Sequence, residues 1–439
     1  MADWVERAIF WQVYPLGFTG AEKTARTEPG VVHRLPQLVA WLDYAVELGA
    51  SALLLAPIFA STSHGYDTTD FFRIDPRLGD DADFDVLIAA AHGRGLRVVL
   101  DGVFNHVGRD HPAFQRALAQ GPQAPDAALF RIDFDRRGPD GQFAYADFEG
   151  HAELPALNHD NPAVADLIVD VMTHWLGRGA DGWRLDAAYA VPKPFWAKVL
   201  PRVRAAHPDA YIFGEVIHGD YVGFVRETGV DAVTEYELWK ATWSAINERN
   251  FFELSWTLER HNGFLDGFVP LTFIGNHDVT RIATRITDER HLPHALVVLM
   301  TTGGTPCIYY GDEQAFRGLK EDRAGGDDAI RPAFPATPAE LAPFGWPTYH
   351  LHQTLIGLRR RHPWLHRART HGLSLSNTQM VYEAFDGDER ITVALNLGDE
   401  AMVVRNDQKL AVLAGGDGVD SDADQLHLPA HGWAVMGRA

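Results

Sequence analysis

Short apolar, β-branched or aromatic runs alternate with longer amphipathic stretches over most of this chain. Eight runs read as strands: residues 9–14, 52–55, 97–103, 182–186, 211–215, 232–235, 271–276 and 306–310. The stretches between them have helical period. In residues 84–94, Phe84, Leu87, Ile88 and Ala91 fall at i, i+3, i+4 and i+7, the spacing of one buried helix face. Residues 35–48, 164–177 and 195–206 read as further helices. Alternating strands and helices imply a parallel sheet. Eight such units imply an α/β chain folded as a closed (β/α)8 TIM barrel, whose active site lies at the C-terminal strand ends.

The rhythm breaks twice. Between His106 and Leu154 the chain is rich in Gly, Pro, Asp and aromatic residues and shows no clean helix-then-strand order. A connection this long inside a compact domain is usually functional or a small domain of its own. Beyond about residue 370 the pattern turns to short strands between turn residues: 380–385, 391–397, 402–404, 410–413 and 433–436. These read as an antiparallel β-sandwich. The expected organisation is therefore a barrel of residues 1–106 and 154–368, an inserted domain of residues 107–153 beside its mouth, and a C-terminal sandwich of residues 369–439. The acidic stretch 414–424 reads as a solvated loop.

Composition narrows the partners. A net charge of −20 over 439 residues repels nucleic acid and anionic membranes and fits a neutral substrate. Cys307 is the only cysteine, so no intrachain disulfide forms. No run of about 18 apolar residues offers a membrane span. The first residues, Met-Ala-Asp-Trp-Val-Glu-Arg, contain no apolar leader, so a cytoplasmic location is expected.

Four strand-like runs end in acidic or imidazole side chains: Asp101-Gly-Val-Phe-Asn-His106, Gly182-Trp-Arg-Leu-Asp186, Phe213-Gly-Glu215 and Phe273-Ile-Gly-Asn-His-Asp278. In a barrel these ends share one mouth. Two carboxylates facing one bond are the machinery of glycoside hydrolysis. Arg184 is two residues before Asp186 and shares its face of the strand, where a guanidinium would keep Asp186 ionised, as a nucleophile requires. Glu215 follows an apolar run, a setting that suits a carboxyl that gives and takes a proton. Asp278 would stabilise positive charge in the transition state. His106 and His277 would donate to sugar hydroxyls, and Asp101 would brace Arg184. Tyr66, in the loop after the second strand, would stack on a pyranose ring, and Trp239 and Trp243, after the sixth, would add platforms.

At these four segments the chain resembles the α-amylase family, glycoside hydrolase family thirteen, whose signature motifs follow strands three, four, five and seven in this order. The resemblance implies Asp186 as nucleophile, Glu215 as general acid/base and Asp278 as transition-state stabiliser. Tyr66, His106, Arg184 and His277 would line the subsite of the attacked sugar, and configuration would be retained through a covalent glycosyl-enzyme. His64-Gly-Tyr-Asp-Thr68, Leu154-Pro-Ala-Leu-Asn158 and Gly214-Glu-Val-Ile-His218 look like the branch of neopullulanases, cyclomaltodextrinases and maltogenic amylases. Asp327 and Arg331 are similar to that branch's clamp on the next sugar. The branch's N-terminal sandwich is expected to be lacking, because the sequence begins almost at its first strand. A monomer or weak homo-oligomer is then expected. Asn105 stands where family members can ligate calcium, with Asp133, Asp135 and Asp147 as nearby oxygen donors. No cage of six to eight oxygens can be assembled from these, so neither a metal nor another cofactor is expected.

The expected activity is hydrolysis of α-1,4 links in maltooligosaccharides and related α-glucans. Transfer to a sugar acceptor, or action on sucrose or trehalose, is the alternative. A non-catalytic scaffold is disfavoured, because Arg184, Asp186, Glu215 and Asp278 are all present.

Overall fold

Eight parallel strands close into a barrel in the computed structural model, which describes residues 2–26, 30–138, 141, 143–323, 325–422 and 424–438. They are β1 (Phe10–Val13), β2 (Ala52–Leu55), β3 (Arg97–Gly102), β4 (Gly182–Leu185), β5 (Tyr211–Gly214), β6 (Ala232–Val233), β7 (Leu271–Phe273) and β8 (Thr305–Tyr309). Their order in the sheet is β6-β5-β4-β3-β2-β1-β8-β7. The ring closes where Thr234 pairs with Leu271 and the Glu235 N–H meets the Leu271 carbonyl at 3.0 Å. Every residue of β1, β2, β4, β5 and β8 is buried. Parallel strands covered on both faces require this, and it is why they read as continuous apolar runs.

Local chemistry sets the helix ends. The helix Asp81–His92 starts at a capping box: Asp80 accepts the N–H groups of Ala82 and Asp83, and Asp83 accepts that of Asp80. Residues 35–48 form two helices rather than the single one expected, Leu35–Val39 and Leu42–Leu48. The Ala40 and Trp41 N–H groups turn back to Gln37 and Leu38, which tightens the turn. This brings Trp41 between Phe18, Tyr44 and Phe334.

The excursion after β3 carries more order than its composition indicates. It holds the helix Pro112–Gln120, a hairpin of Ile132–Arg137 with Phe143–Tyr145, and a second pair of Asp147–Phe148 with His151–Pro155. The last strand crosses the expected limit at 153/154. The excursion ends where the Leu157 N–H bonds the Asn105 carbonyl at 3.0 Å, beside the end of β3.

The C-terminal region stacks two antiparallel sheets. One runs in the order Arg369–Leu375, Gln379–Asp386, Glu389–Asn396, Trp433–Gly437, Ala411–Gly415. The other runs Met402–Arg405, Gln425–Leu428, Asp420–Ser421. Residues 414–424 are thus only partly loop. Of the strands unread in the sequence, Arg369–Leu375 and Asp420–Ser421 are mostly exposed, and Gln425–Leu428 alternates over only four residues. Met380, Tyr382, Ile391 and Val393 join the barrel in one continuous apolar core. Tyr382 OH and Thr301 Oγ1 bond across the junction at 2.6 Å.

Candidate active site

Strand register assembles the centre of the site. Asp101 of β3 and Arg184 of β4 are paired positions, and Leu185 is paired with Gly214 of β5. The next residues, Asp186 and Glu215, therefore emerge side by side. Arg184 is 3% exposed and holds three carboxylates. Its Nη1 donates to both oxygens of Asp101 at 2.7 Å and to Asp186 Oδ1 at 3.1 Å, and its Nη2 lies 2.9 Å from Glu215 Oε1.

Backbone and neighbouring helices complete the setting of Glu215. Ala187, just past the nucleophile position, adopts the left-handed conformation at φ 43°. That kink directs its N–H to Glu215 Oε2 at 3.0 Å. Tyr236, at the start of the helix Tyr236–Asn247, donates its O–H to Glu215 Oε1 at 3.0 Å and accepts from Asn276 Nδ2 at 3.0 Å.

Burial raises the proton affinity of Asp186 well above its usual value. Arg184 opposes the shift, while the charges of Glu215, Asp101 and Asp278 add to it. Arg184 thus favours the ionised form of Asp186, as expected, against burial and the neighbouring carboxylates. One guanidinium divided among three carboxylates does not neutralise them all, and close like charges favour a retained proton. Asp278 behaves oppositely. Against the penalty of burial, His277, Arg331 and Arg184 hold its carboxyl well below the usual range. Its side chain is 32% exposed towards the cleft.

Asp278 stands between His277 Nε2 and Arg331 Nη2, each at 2.9 Å. His277 is oriented from behind: Gln12 Nε2 of β1 donates to its Nδ1 at 3.0 Å, which leaves the proton on Nε2. Tyr66 stacks parallel to His277 with centroids 5.3 Å apart; its oxygen accepts from His277 Nε2–H and its O–H donates to Asp101 Oδ2. Arg331 Nη2 also meets Asp327 at 2.9 Å, and its guanidinium lies over the Tyr14 ring at 4.8 Å. Arg331, Asp327, Tyr14 and His64 wall a cavity of about 520 Å³ that adjoins the carboxylates through Arg331. A second cavity, of about 430 Å³, opens on the other side of His64 against residues 150–154 of the excursion.

His106 and Trp239, two expected sugar contacts, are each engaged by neighbouring groups. His106 is 1% exposed, and both of its nitrogens are engaged, Nε2 with the Tyr66 carbonyl at 3.0 Å and Nδ1 with Asn105 Nδ2 at 3.1 Å. Its ring lies against Phe148. Trp239 rests one face on Phe273 and meets Tyr236 edge-on, so it packs into the wall behind Glu215 rather than standing free. Asp133 and Asp135 lie on the hairpin of the excursion, and Asp147 accepts the Gly150 N–H at 2.9 Å.

Gln12, Tyr236 and Asn276 were not singled out in the sequence. A lone Gln within the apolar run Phe10–Val13 is the one visible signal among them. Glu149 of the excursion also went unread. It accepts the Tyr189 O–H at 2.9 Å and so links the excursion to the loop after Asp186.

Comparison with known proteins agrees with this geometry. The family model described as alpha amylase, catalytic domain, matches residues 12–369. A cyclomaltodextrinase of a Bacillus species is 32% identical over 90% of this chain and 73% of its own length. An intracellular maltogenic amylase of Bacillus subtilis is 30% identical over 71% of this chain and 56% of its own. Among solved structures, the cyclic α-maltosyl-(1→6)-maltose hydrolase of Arthrobacter globiformis superposes end to end. It covers 100% of both chains with a TM-score of 0.84 at 26% identity.

Proposed function

This chain belongs to the α-amylase family of glycoside hydrolases, and on that premise we propose that it cleaves α-1,4-glucosidic bonds of maltooligosaccharides with retention of configuration. The observation that carries the proposal is the Arg184 fork. It joins Asp186 and Glu215 at adjacent strand ends, with an ionised Asp278 alongside. A retaining mechanism needs one ionised and one protonated carboxyl flanking the bond. Ionised Asp186 attacks C1, while protonated Glu215 gives its proton to the leaving oxygen. Asp278 stabilises the positive charge that develops on the ring. Water, deprotonated by Glu215, then releases the sugar from Asp186. The cavity beyond Arg331 takes the sugars on the non-reducing side, with Asp327 and Arg331 as their polar contacts.

The site supplies its own charges for each step, so we assign no metal to catalysis. Chelation is expected to leave kcat unchanged, and its loss on chelation contradicts this. The name of the B. subtilis relative supports an intracellular location. Among the described residues no helix is long and apolar enough to cross a membrane. A second reading, action on α-1,6 links, is favoured by the end-to-end match to the A. globiformis hydrolase.

A product-resolved time course on maltotetraose, with cyclic maltosyl-(1→6)-maltose in parallel, separates these readings. Shorter α-anomeric products from maltotetraose are expected. Turnover of the cyclic substrate alone reverses the choice of linkage. Asp186→Asn and Glu215→Gln are each expected to lower kcat at least roughly a thousandfold with the fold intact. Near-full activity in either sinks the assignment.

A further inference from the structure

Three side chains from separate segments converge where the barrel meets the C-terminal sandwich. His291 precedes the helix Leu292–Thr301, Asp288 lies one turn before it, and His431 sits in the turn before the strand Trp433–Gly437. One donor atom from each lies within 4.8 Å of the others. His291 Nε2 and His431 Nδ1 face one another at 2.9 Å.

The surroundings prepare these donors. The other nitrogen of His431, Nε2, lies 3.2 Å from Asp399 Oδ1, and Asp399 is held in turn by Arg249 at 3.0 Å. A carboxylate that accepts Nε2–H leaves Nδ1 as a bare lone pair aimed at His291, an arrangement typical of metal-ligating histidines. His431 holds a left-handed φ of 58°, a conformation that costs a non-glycine residue about 1 kcal/mol or more and persists only where the surroundings enforce it. One turn along the helix, fully buried His294 donates Nε2–H towards the carbonyls of Asn396 and Gly432, each at 3.1 Å. Its Nδ1 has no partner among the described residues, and its ring stands edge-on to His291 at 5.2 Å. The Asp288 carboxylate accepts from the Arg290 N–H at 3.1 Å, from its Nε at 2.9 Å and from its Nη2 at 2.6 Å, so an ion takes the place of part of this exposed Arg290 contact.

We infer that Asp288, His291 and His431 bind one divalent transition-metal ion, zinc matching the donor set best, and that this ion ties the sandwich to the barrel. Two imidazoles and a carboxylate suit zinc. Ligation requires the facing nitrogens to part from 2.9 Å to roughly 3.3 Å, a few tenths of an ångström, around a tetrahedral ion with bonds of about 2.0 Å. Asp288 and His431 are half-buried, so an ion reaches them from solvent. The site uses none of the residues assigned to the cleft, and it is complete only while the two domains are docked.

Untagged full-length protein, stripped with chelator and titrated with Co2+, tests this. The visible ligand-field band of tetrahedral cobalt is expected to saturate at one equivalent, to disappear when Zn2+ is added, and to accompany a rise in Tm. His431→Gln and Asp288→Asn are expected to abolish the band. Asp399→Asn is expected to weaken affinity by roughly ten- to a hundredfold. The exposed group His33, Asp80 and Asp83 is the control, and His33→Gln is expected to leave the band unchanged. Absence of the band in the parent protein overturns the inference and leaves Arg249–Asp399–His431–His291 as a plain hydrogen-bond chain. A band that survives both His431→Gln and Asp288→Asn, or that vanishes in His33→Gln, overturns it as well.

Discussion

At the scale of single residues, the site depends on groups behind the reactive atoms as much as on those atoms. Gln12 makes no contact with the three carboxylates, yet its amide fixes which nitrogen of His277 faces Asp278 and Tyr66. Gln12→Met conserves volume but leaves His277 Nδ1 buried without a donor, a loss of about 1–3 kcal/mol. The expected outcome is a kcat/KM reduced about tenfold or more together with a stability loss of that size, read by steady-state kinetics beside a denaturation curve. An unaltered kcat/KM contradicts the role given to Gln12. The reactive carboxylates were legible because each ends a strand and a barrel gathers strand ends. Tyr236 and Asn276 were not, because their work is a hydrogen bond between segments forty residues apart. The setting of His106 was hidden for a related reason: a sequence gives the ring but not the Tyr66 carbonyl that it meets.

At the scale of elements, the spacing of β4 and β5 sets the relation of nucleophile to acid. The strands approach so closely at Gly182 that a Cβ there would lie 2.1 Å from the Tyr211 carbonyl oxygen. The obstacle is backbone, which cannot swing aside. Gly182→Ala is expected to cost about 3 kcal/mol and to lower kcat by parting Asp186 from Glu215, checked by urea midpoint and turnover together. Wild-type values for both would show that this contact is not needed. The barrel strands were readable because burial on both faces writes continuous apolar runs. The helix Pro112–Gln120 and the hairpins of the excursion were not, since they are short and lie among Gly, Pro and Asp residues that read as loop. The break at Ala40–Trp41 was equally hidden, because both halves of residues 35–48 keep the same apolar stripe.

At the scale of the whole molecule, buried acids outside the cleft make stability depend on pH. Glu313, just past β8, is fully buried and accepts the Tyr44 O–H at 3.0 Å and the Gly311 N–H at 2.8 Å. Burial pushes its carboxyl up to about 7 from an ordinary 4.5. The folded chain thus keeps a proton that the unfolded chain releases between these values. The stability this group contributes is full below about pH 4.5 and is lost as pH rises through about 7, a total near 3 kcal/mol. Glu313→Gln is expected to flatten the fall in urea midpoint between pH 5 and pH 8. An unchanged slope would show that Glu313 is not its source. The order of the domains along the chain could be read from changes in rhythm. The shared core beneath the sandwich could not, because it joins residues such as Thr301 and Tyr382 that only the docked domains bring together.

The most direct measurement is to trap the intermediate. Departure of fluoride needs no proton, so the Glu215→Gln protein still forms a glycosyl-enzyme from α-maltosyl fluoride, but it lacks the base that would clear it. Mass spectrometry of the digested protein is expected to find a maltosyl adduct on the peptide that contains Asp186. An adduct on Asp278 or elsewhere, or none while fluoride is released, contradicts Asp186 as the nucleophile.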